Sequence, residues 1–472
     1  MAVRTSIFEL HPSNRLLLTA VCLGQVGLMV LSFLRYGETG PLLMVLVLFS
    51  VVTLVGSVTL AVFYLCLVSA VIPTQFFDDR LLLPLDFKFY EGLFMVVCGV
   101  AVLWWLQGWW LLWERRTRLD RPVLVFLGLL VASMGLGLYY GQSVSQMLRD
   151  VRFPLYYVLF FVVTGFFDLR RGRTFLSLVV VCAAVVGVEY LAEFLEMVNL
   201  SISGSFYRVA RTEGLMLPIS ILVCAAGLLY DPSPVRRTLF SLALIPIGLA
   251  FVLTMGRGMW IAFFAGLIAM SGLVVLDRRA GGRRGRQILI LILLPLLVAG
   301  MGYFFQRATG TGVGEMALKR VRRVVYYQED TTILGRFLSY GVALEAIRQR
   351  PMLGGGHGAT VTYLITDQGE PFMQTAGKVD NLYLTLMLRM GVVGLAAFLW
   401  IFIRGMRTAY GLFQRTGDVW VKQFCAGFVA VYGAMLVYGM ADATLIGNRL
   451  IFFHATFLGI LARLEREAGD GA

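Results

Sequence analysis

Long apolar runs dominate the chain, and polar residues come in short bursts between them. Runs at 16–34, 93–113, 123–140, 154–167, 175–198, 214–230, 239–255, 259–276, 288–305, 382–403, 424–445 and 450–464 carry few charges. Most reach the roughly 20 residues that a helix needs to cross a bilayer at about 1.5 Å per residue. Residues 41–73 hold no charge at all. That stretch is long for one upright span and short for two, and Gly56 near its middle can bend it. The runs are continuously apolar rather than alternating, which excludes a β-barrel. The pattern predicts an all-α polytopic membrane protein of 12–14 transmembrane helices, the range arising in residues 1–73.

Only one polar segment is large. It predicts three parts: an N-terminal transmembrane bundle at 1–305, a periplasmic loop at 306–380, and C-terminal transmembrane helices at 381–472. Within the loop, Leu318, Val321, Val324 and Val325 recur at helical spacing among basic residues, so 315–327 reads as an amphipathic surface helix. A second helix is expected over 332–350, with Leu334, Phe337, Leu338 and Ile347 as its apolar face. Asp330, Thr331 or Thr332 can cap it and Pro351 stops it. The glycines from Gly354 to Gly358 offer a backbone that a ligand can approach closely.

Composition agrees. The chain is 58% hydrophobic and 15% charged, where soluble proteins are near half and a quarter. The formal charge of +13 is concentrated in arginine clusters. Those at 115–118, 170–173, 236–237, 278–286 and 404–407 fall at every second connection. The positive-inside rule makes these cytoplasmic, so no nucleic-acid partner is inferred and the 306–380 loop lies outside. The loop's own basic group at 319–323 is compatible, because long loops translocate largely regardless of charge. Only four basic residues are lysine. Arginine forks grip phosphate bidentately, although a GC-rich genome gives the same bias. The six cysteines lie in apolar runs without metal-ligand spacing, so no structural disulfide is predicted. No cleavable signal is read at the N-terminus, and 16–34 is taken as a retained helix.

Arg208, Arg211, Glu213, Arg257, Arg336 and Asp380 fall near helix ends on the external side, from four separate segments. Ionisable groups at membrane depth are costly and mark sites. Arginines with one or two carboxylates suit a diphosphate and a general base. Snorkelling to headgroups explains Arg208, Arg211 or Arg257 singly, and the joint pattern less well. Asp78 and Asp79 lie in an earlier external loop, but adjacent acids point apart, and no metal ligand is assigned.

Asp380-Asn381, followed nine residues later by Gly391-Val392-Val393-Gly394, resembles the motif closing the large periplasmic loop of the O-antigen ligase and O-antigen polymerase superfamily. Gly335-Arg336, the run from Arg350 to Gly354, and the turn Thr254-Met255-Gly256-Arg257-Gly258 are similar to that family in order and spacing. Arg208 and Arg211 sit where it carries arginines in an earlier loop, and the likeness covers about 150–464. The resemblance implies a metal-independent, inverting glycosyltransferase of the GT-C type in the bacterial inner membrane, without cofactor, its active site facing the periplasm. Its partners would be undecaprenyl-diphosphate-linked oligosaccharide as donor and acceptor, the bilayer, and other polysaccharide export proteins. It assigns Arg211, Arg257 and Arg336, with Arg208, to the diphosphate, Asp380 to the base and Asn381 to positioning. Ligases of the family place histidine where this chain has Asp380, which favours a polysaccharide polymerase over a ligase. His357 and Glu213 are alternative bases. A transporter of the same lipid-linked sugars fits the arginines too, but no internal repeat is visible.

Overall fold

Helices make up nearly all of the architecture. The computed structural model describes residues 57–470 apart from 80–86, 107–116, 201–211, 278–283, 368–369 and most of 311–330, together with Val45, Leu48 and Phe49. Among these, eight helices are long and apolar enough to cross a membrane: Asp120–Tyr139, Leu169–Met197, Glu213–Tyr230, Pro234–Leu253, Arg257–Val275, Arg284–Thr309, Leu382–Arg415 and Val419–Tyr438. Helices Val58–Val71, Phe89–Leu106, Leu159–Phe166 and Ile451–Asp470 pack among them. The expected first span at 16–34, most of 41–73, and most of the amphipathic segment 315–327 lie outside the described residues.

The centre is the helix Met216–Tyr230. It is apolar on every face and is buried on every face, Leu228 alone being partly open, as an all-round apolar helix should be. Helices Gly172–Leu200, Pro234–Leu253, Arg257–Val275 and Val419–Tyr438 surround it. Small residues let helices approach where hydrocarbon gives no hydrophobic drive; a Cβ on Gly433 would lie 3.0 Å from the Ala269 Cβ. An aromatic column packs nearby, with Phe428 stacked on Tyr432 at 3.8 Å and Tyr432 on His454 at 4.5 Å.

The basic connections meet at one end of the bundle. Lys422 pairs with Asp277 at 2.8 Å, Arg173 with Asp418 at 3.8 Å and Arg118 with Glu465 at 3.4 Å. Gln414 donates to the Leu276 carbonyl at 2.9 Å. The alternation of arginine clusters in the sequence is thus an alternation between two ends.

The opposite end carries the segment 331–381. Its helix, Thr331–Gln349, follows the predicted bounds, but of the expected apolar face only Ile347 packs inward. Ser339, Ala343 and Ile347 are buried, whereas Leu334, Phe337 and Leu338 are exposed. Small residues face inward because the neighbours come close. Ala343 and Ile347 form a small core with Ala359, Val361, Val379 and Leu388. An antiparallel hairpin, absent from the sequence-based expectation, follows: Val361–Asp367 pairs with Glu370–Ala376, Val361 opposite Ala376 and Asp367 opposite Glu370. The β-branched and aromatic residues of Val361–Asp367 favour the extended conformation.

The helix Leu382–Arg415 is broken at Gly391, whose φ of 64° and ψ of −168° suit glycine alone. In an unbroken helix the N–H groups of Val392 and Val393 would bond the carbonyls of Leu388 and Arg389. Here the turn from Arg350 to Gly356 takes their place on both sides. Gly355 and Gly356 donate to Leu388 and Arg389 at 2.8 and 3.0 Å. Val392 and Val393 donate to the Pro351 and Met352 carbonyls at 2.9 and 3.3 Å. The turn thus supplies partners for the Leu388 and Arg389 carbonyls and the Val392 and Val393 N–H groups that the break would leave open. The glycine-rich turn, expected to face a ligand, instead faces this helix and Asp120–Tyr139. Cβ atoms on Gly356 or Gly391 would overlap the backbone of Gly137 or Met352.

Candidate functional site

The break leaves a short half-helix that begins at Leu382, and its N-terminal cap holds the site. Asn381 is the N-cap residue: its Oδ1 accepts from the Tyr383 and Leu384 N–H groups at 3.0 and 3.1 Å. Its Nδ2 donates to the Met440 carbonyl at 3.4 Å. Thr385 Oγ1 donates to the carbonyls of Val379 and Asn381, both at 2.9 Å, and accepts from Val379 N–H. Val379 is buried in the small core, so the next side chain, Asp380, is turned outward.

Asp380 meets Arg336 there, with Arg336 Nε 3.2 Å from Asp380 Oδ2. Both are partly open, at 37% and 51%, so a ligand can reach them. Tyr340, one turn beyond Arg336, donates to the Asp380 carbonyl at 2.6 Å and also to Met440 at 3.3 Å. Burial and the Asp380 charge raise the Tyr340 phenol while Arg336 opposes them, so it stays a donor at neutral pH. Tyr363 of the hairpin is raised by burial and then by Asp380, which places that strand within electrostatic reach of the carboxylate. Lys378 closes one side on Asp442 at 3.0 Å.

Arg257 arrives from another direction. Thr254 Oγ1 bonds the Phe251 carbonyl at 2.7 Å and accepts from Gly256 N–H at 3.3 Å. Met255 is buried with φ 49°, a left-handed corner rare for a side-chain-bearing residue. That corner starts the helix Arg257–Val275 at Arg257, beside the turn after Tyr438: a Cβ on Gly258 would lie 3.0 Å from the Ala441 Cβ. Met440, Ala441 and Asp442 thus sit between the Asp380 segment and the Arg257 helix. A guanidinium at a helix N-terminus, as at Arg257, suits a phosphate.

Arg208 and Arg211 lie outside the described residues. Glu213 is buried and ion-paired with Arg449, and its Oε1 also accepts from Thr74 N–H at 3.1 Å and Thr74 Oγ1 at 2.8 Å. Arg449 further donates to the Ile72 carbonyl at 2.6 Å and lies over the Phe77 ring. Glu213 therefore ties three segments together. His357 is buried, its Nδ1 sharing a 2.8 Å hydrogen bond with Ser133 Oγ. Burial and then the Arg389 charge push its imidazole down to about 3, so it is neutral at physiological pH. The Asp78 and Asp79 side chains lie outside the described residues. No group of three or more His, Cys, Asp or Glu among the described residues is placed to hold a metal.

Sequence reading missed Tyr340, Lys378 and Asp442. The signal for Tyr340 was its position one helical turn after Arg336. Nothing local marks Asp442, which reaches Lys378 across 64 residues.

Fold and site define a class: a polytopic helical membrane protein with an arginine–carboxylate cluster where a large loop rejoins the bundle. Residues 242–399, about a third of the chain, match the family model described as O-antigen ligase. The matched stretch contains Arg257, Arg336, His357, Asp380 and Asn381 and ends just past the break at Gly391; it excludes Arg208, Arg211 and Glu213. The match supports O-antigen ligation or related glycosyl transfer at the level of that family. No curated protein matches the chain.

Proposed function

We propose that this protein is a polysaccharide polymerase acting on the periplasmic face. It transfers a growing glycan from undecaprenyl diphosphate to a sugar hydroxyl of a new lipid-linked repeat unit, with inversion and without a metal. The observation that carries this reading is the contact between Arg336 Nε and Asp380 Oδ2 at 3.2 Å, on a segment rigidly capped by Asn381. A guanidinium has five N–H donors. Arg336 can hold Asp380 through Nε and turn its two Nη groups to a diphosphate, so one residue sets the distance between base and leaving group. The acceptor hydroxyl attacks the anomeric carbon as Asp380 takes its proton. The bond from that carbon to the diphosphate oxygen breaks, and the lipid diphosphate leaves with the electron pair. Arg257 and Arg336, with Arg211 and Arg208, stabilise the charge that develops on it. Asn381 positions Asp380. Glu213 and His357, both buried and bonded, support structure.

The second reading is a ligase that moves finished glycan to lipid A core or to protein. The family description favours it; aspartate in place of the ligase histidine favours the polymerase. The test uses purified protein in nanodiscs, a lipid-diphosphate-linked repeat unit as sole substrate, and EDTA. A product ladder that survives EDTA, with kcat falling about a hundred- to ten-thousandfold in Asp380→Asn, is expected. No ladder, but transfer once lipid A core or protein is added, replaces polymerase with ligase. No transfer to any acceptor, with substrate crossing a sealed bilayer, replaces the enzyme with a transporter.

A further inference from the structure

A buried ion pair lies behind the outward-facing cluster. Arg389, one residue before Met390 at the end of the short half-helix, is 5% exposed and pairs with Asp150 Oδ1 at 2.8 Å, Asp150 being 8% exposed. A lone arginine in an apolar span is expensive and is retained for a purpose. Asp150 belongs to the short helix Val144–Arg152, far away in sequence. Its carboxylate also accepts from Gly358 N–H at 3.2 Å and from Gln146 Nε2 at 2.9 Å. The same Arg389 Nη2 that meets Asp150 donates to the carbonyl of Gly377.

Gly377 stands three residues before Asp380. Side chains hold the stretch between them at each position. A Cβ on Gly377 would overlap the Gln146 amide. Lys378 is tied to Asp442, Val379 is buried, and Asn381 caps the helix. The Arg389 carbonyl, meanwhile, accepts from Gly356 N–H and from Ser133 Oγ at the helix break. Arg389 therefore joins the break through its backbone to the Asp380 segment through its side chain.

We propose that Arg389, held by Asp150, is a positioning residue that sets where Asp380 stands relative to Arg336 and the bound donor. This rests on the transferase reading above. The ion pair alone would serve stability; the added donation to Gly377 is the feature that a purely structural pair does not need. A shift of about 1 Å at the reacting groups costs on the order of a hundredfold in rate, so the segment tolerates little slack.

The test separates aim from stability. Asp150→Asn and Arg389→Gln each leave one buried charge without its partner and should lower the thermal midpoint strongly. The double variant Asp150→Asn/Arg389→Gln removes both charges and should recover much of that loss. Its kcat at saturating lipid-linked donor should remain about ten- to a hundredfold down, with donor KM little changed because Arg257 and Arg336 are untouched. Amide hydrogen exchange at 377–381 should quicken. A double variant with wild-type kcat and unchanged exchange at 377–381 overturns the proposal. If the double variant does not fold, Arg389→Lys carries the test: it keeps the charge facing Asp150 and shortens the reach to Gly377. Retained stability with lost kcat supports the positioning role, and full kcat overturns it. Wild-type protein without any transferase activity refutes the functional reading instead, and the exchange measurement then still decides whether Arg389 restrains the segment.

Discussion

Gly391→Ala probes the device that places the site at the end of a half-helix. The native φ of 64° and ψ of −168° lie in a region open only to glycine, and holding alanine there costs about 1–3 kcal/mol. The new Cβ would also overlap the Met352 carbonyl and crowd Leu353 N. These are backbone atoms of a turn that cannot rotate aside. The turn must withdraw, and the bonds from Val392 and Val393 to Pro351 and Met352 weaken, at about 0.5–1.5 kcal/mol each. Straightening the helix offers no escape, since Gly355 and Gly356 already occupy the carbonyls it would need. The expected loss is about 2–6 kcal/mol, read as a lower thermal midpoint in detergent. Gly300→Ala is the control. It lies within Arg284–Thr309 with nothing inside 4 Å of an added Cβ, so its effect should stay within about 1 kcal/mol. Equal stability of the two variants would refute the exchange of hydrogen bonds between turn and helix as the cause of the break.

Three further outcomes are expected. Arg336→Lys and Arg257→Lys keep the charge but lose the planar fork, and transfer should fall about ten- to a hundredfold; full activity in either variant would contradict bidentate diphosphate binding. Glu213→Gln leaves Arg449 buried without its counter-charge and should cost about 3–5 kcal/mol of stability, while kcat per folded molecule stays near wild type; selective loss of kcat at normal stability would make Glu213 the base. For His357 the folded value near 3 lies below the ordinary 6.5, so between those limits the unfolded chain binds the extra proton. Its contribution to stability is therefore full above about pH 6.5 and is lost as pH falls toward about 3. His357→Asn should flatten that part of the midpoint-versus-pH curve, and an unchanged slope would show that the imidazole does not titrate on unfolding.

Local sequence made several features legible. The apolar runs marked the long helices because span length and hydropathy are properties of a contiguous segment. Arginine clusters at alternate connections announced the two ends, and Lys422–Asp277 and Arg118–Glu465 show them gathered at one. Asp380, Asn381, Arg336 and Gly391 were singled out by motifs that resemble a known family, and the helix at Thr331–Gln349 was legible from its cap and its stop. Its inward face was misread because a periodic set of large residues was taken for the core. Of that set only Ile347 packs inward; the partners approach too closely for Leu334, Phe337 and Leu338, and Ser339 and Ala343 fit instead.

What only the tertiary structure decided is which distant groups complete one another. By itself the chain specified a polytopic helical protein with an acid, an amide and arginines at a loop end. It could not show that the glycine turn repairs a broken helix, since both partners look like ordinary loop and kink glycines until their backbones meet. Nor could it show that Glu213 belongs to Arg449, or that Arg389 reaches back to Gly377. Hydropathy is read along the chain, whereas a buried charge or an open backbone group is satisfied by whatever packing brings within about 3 Å, and that proximity is not written in any local pattern.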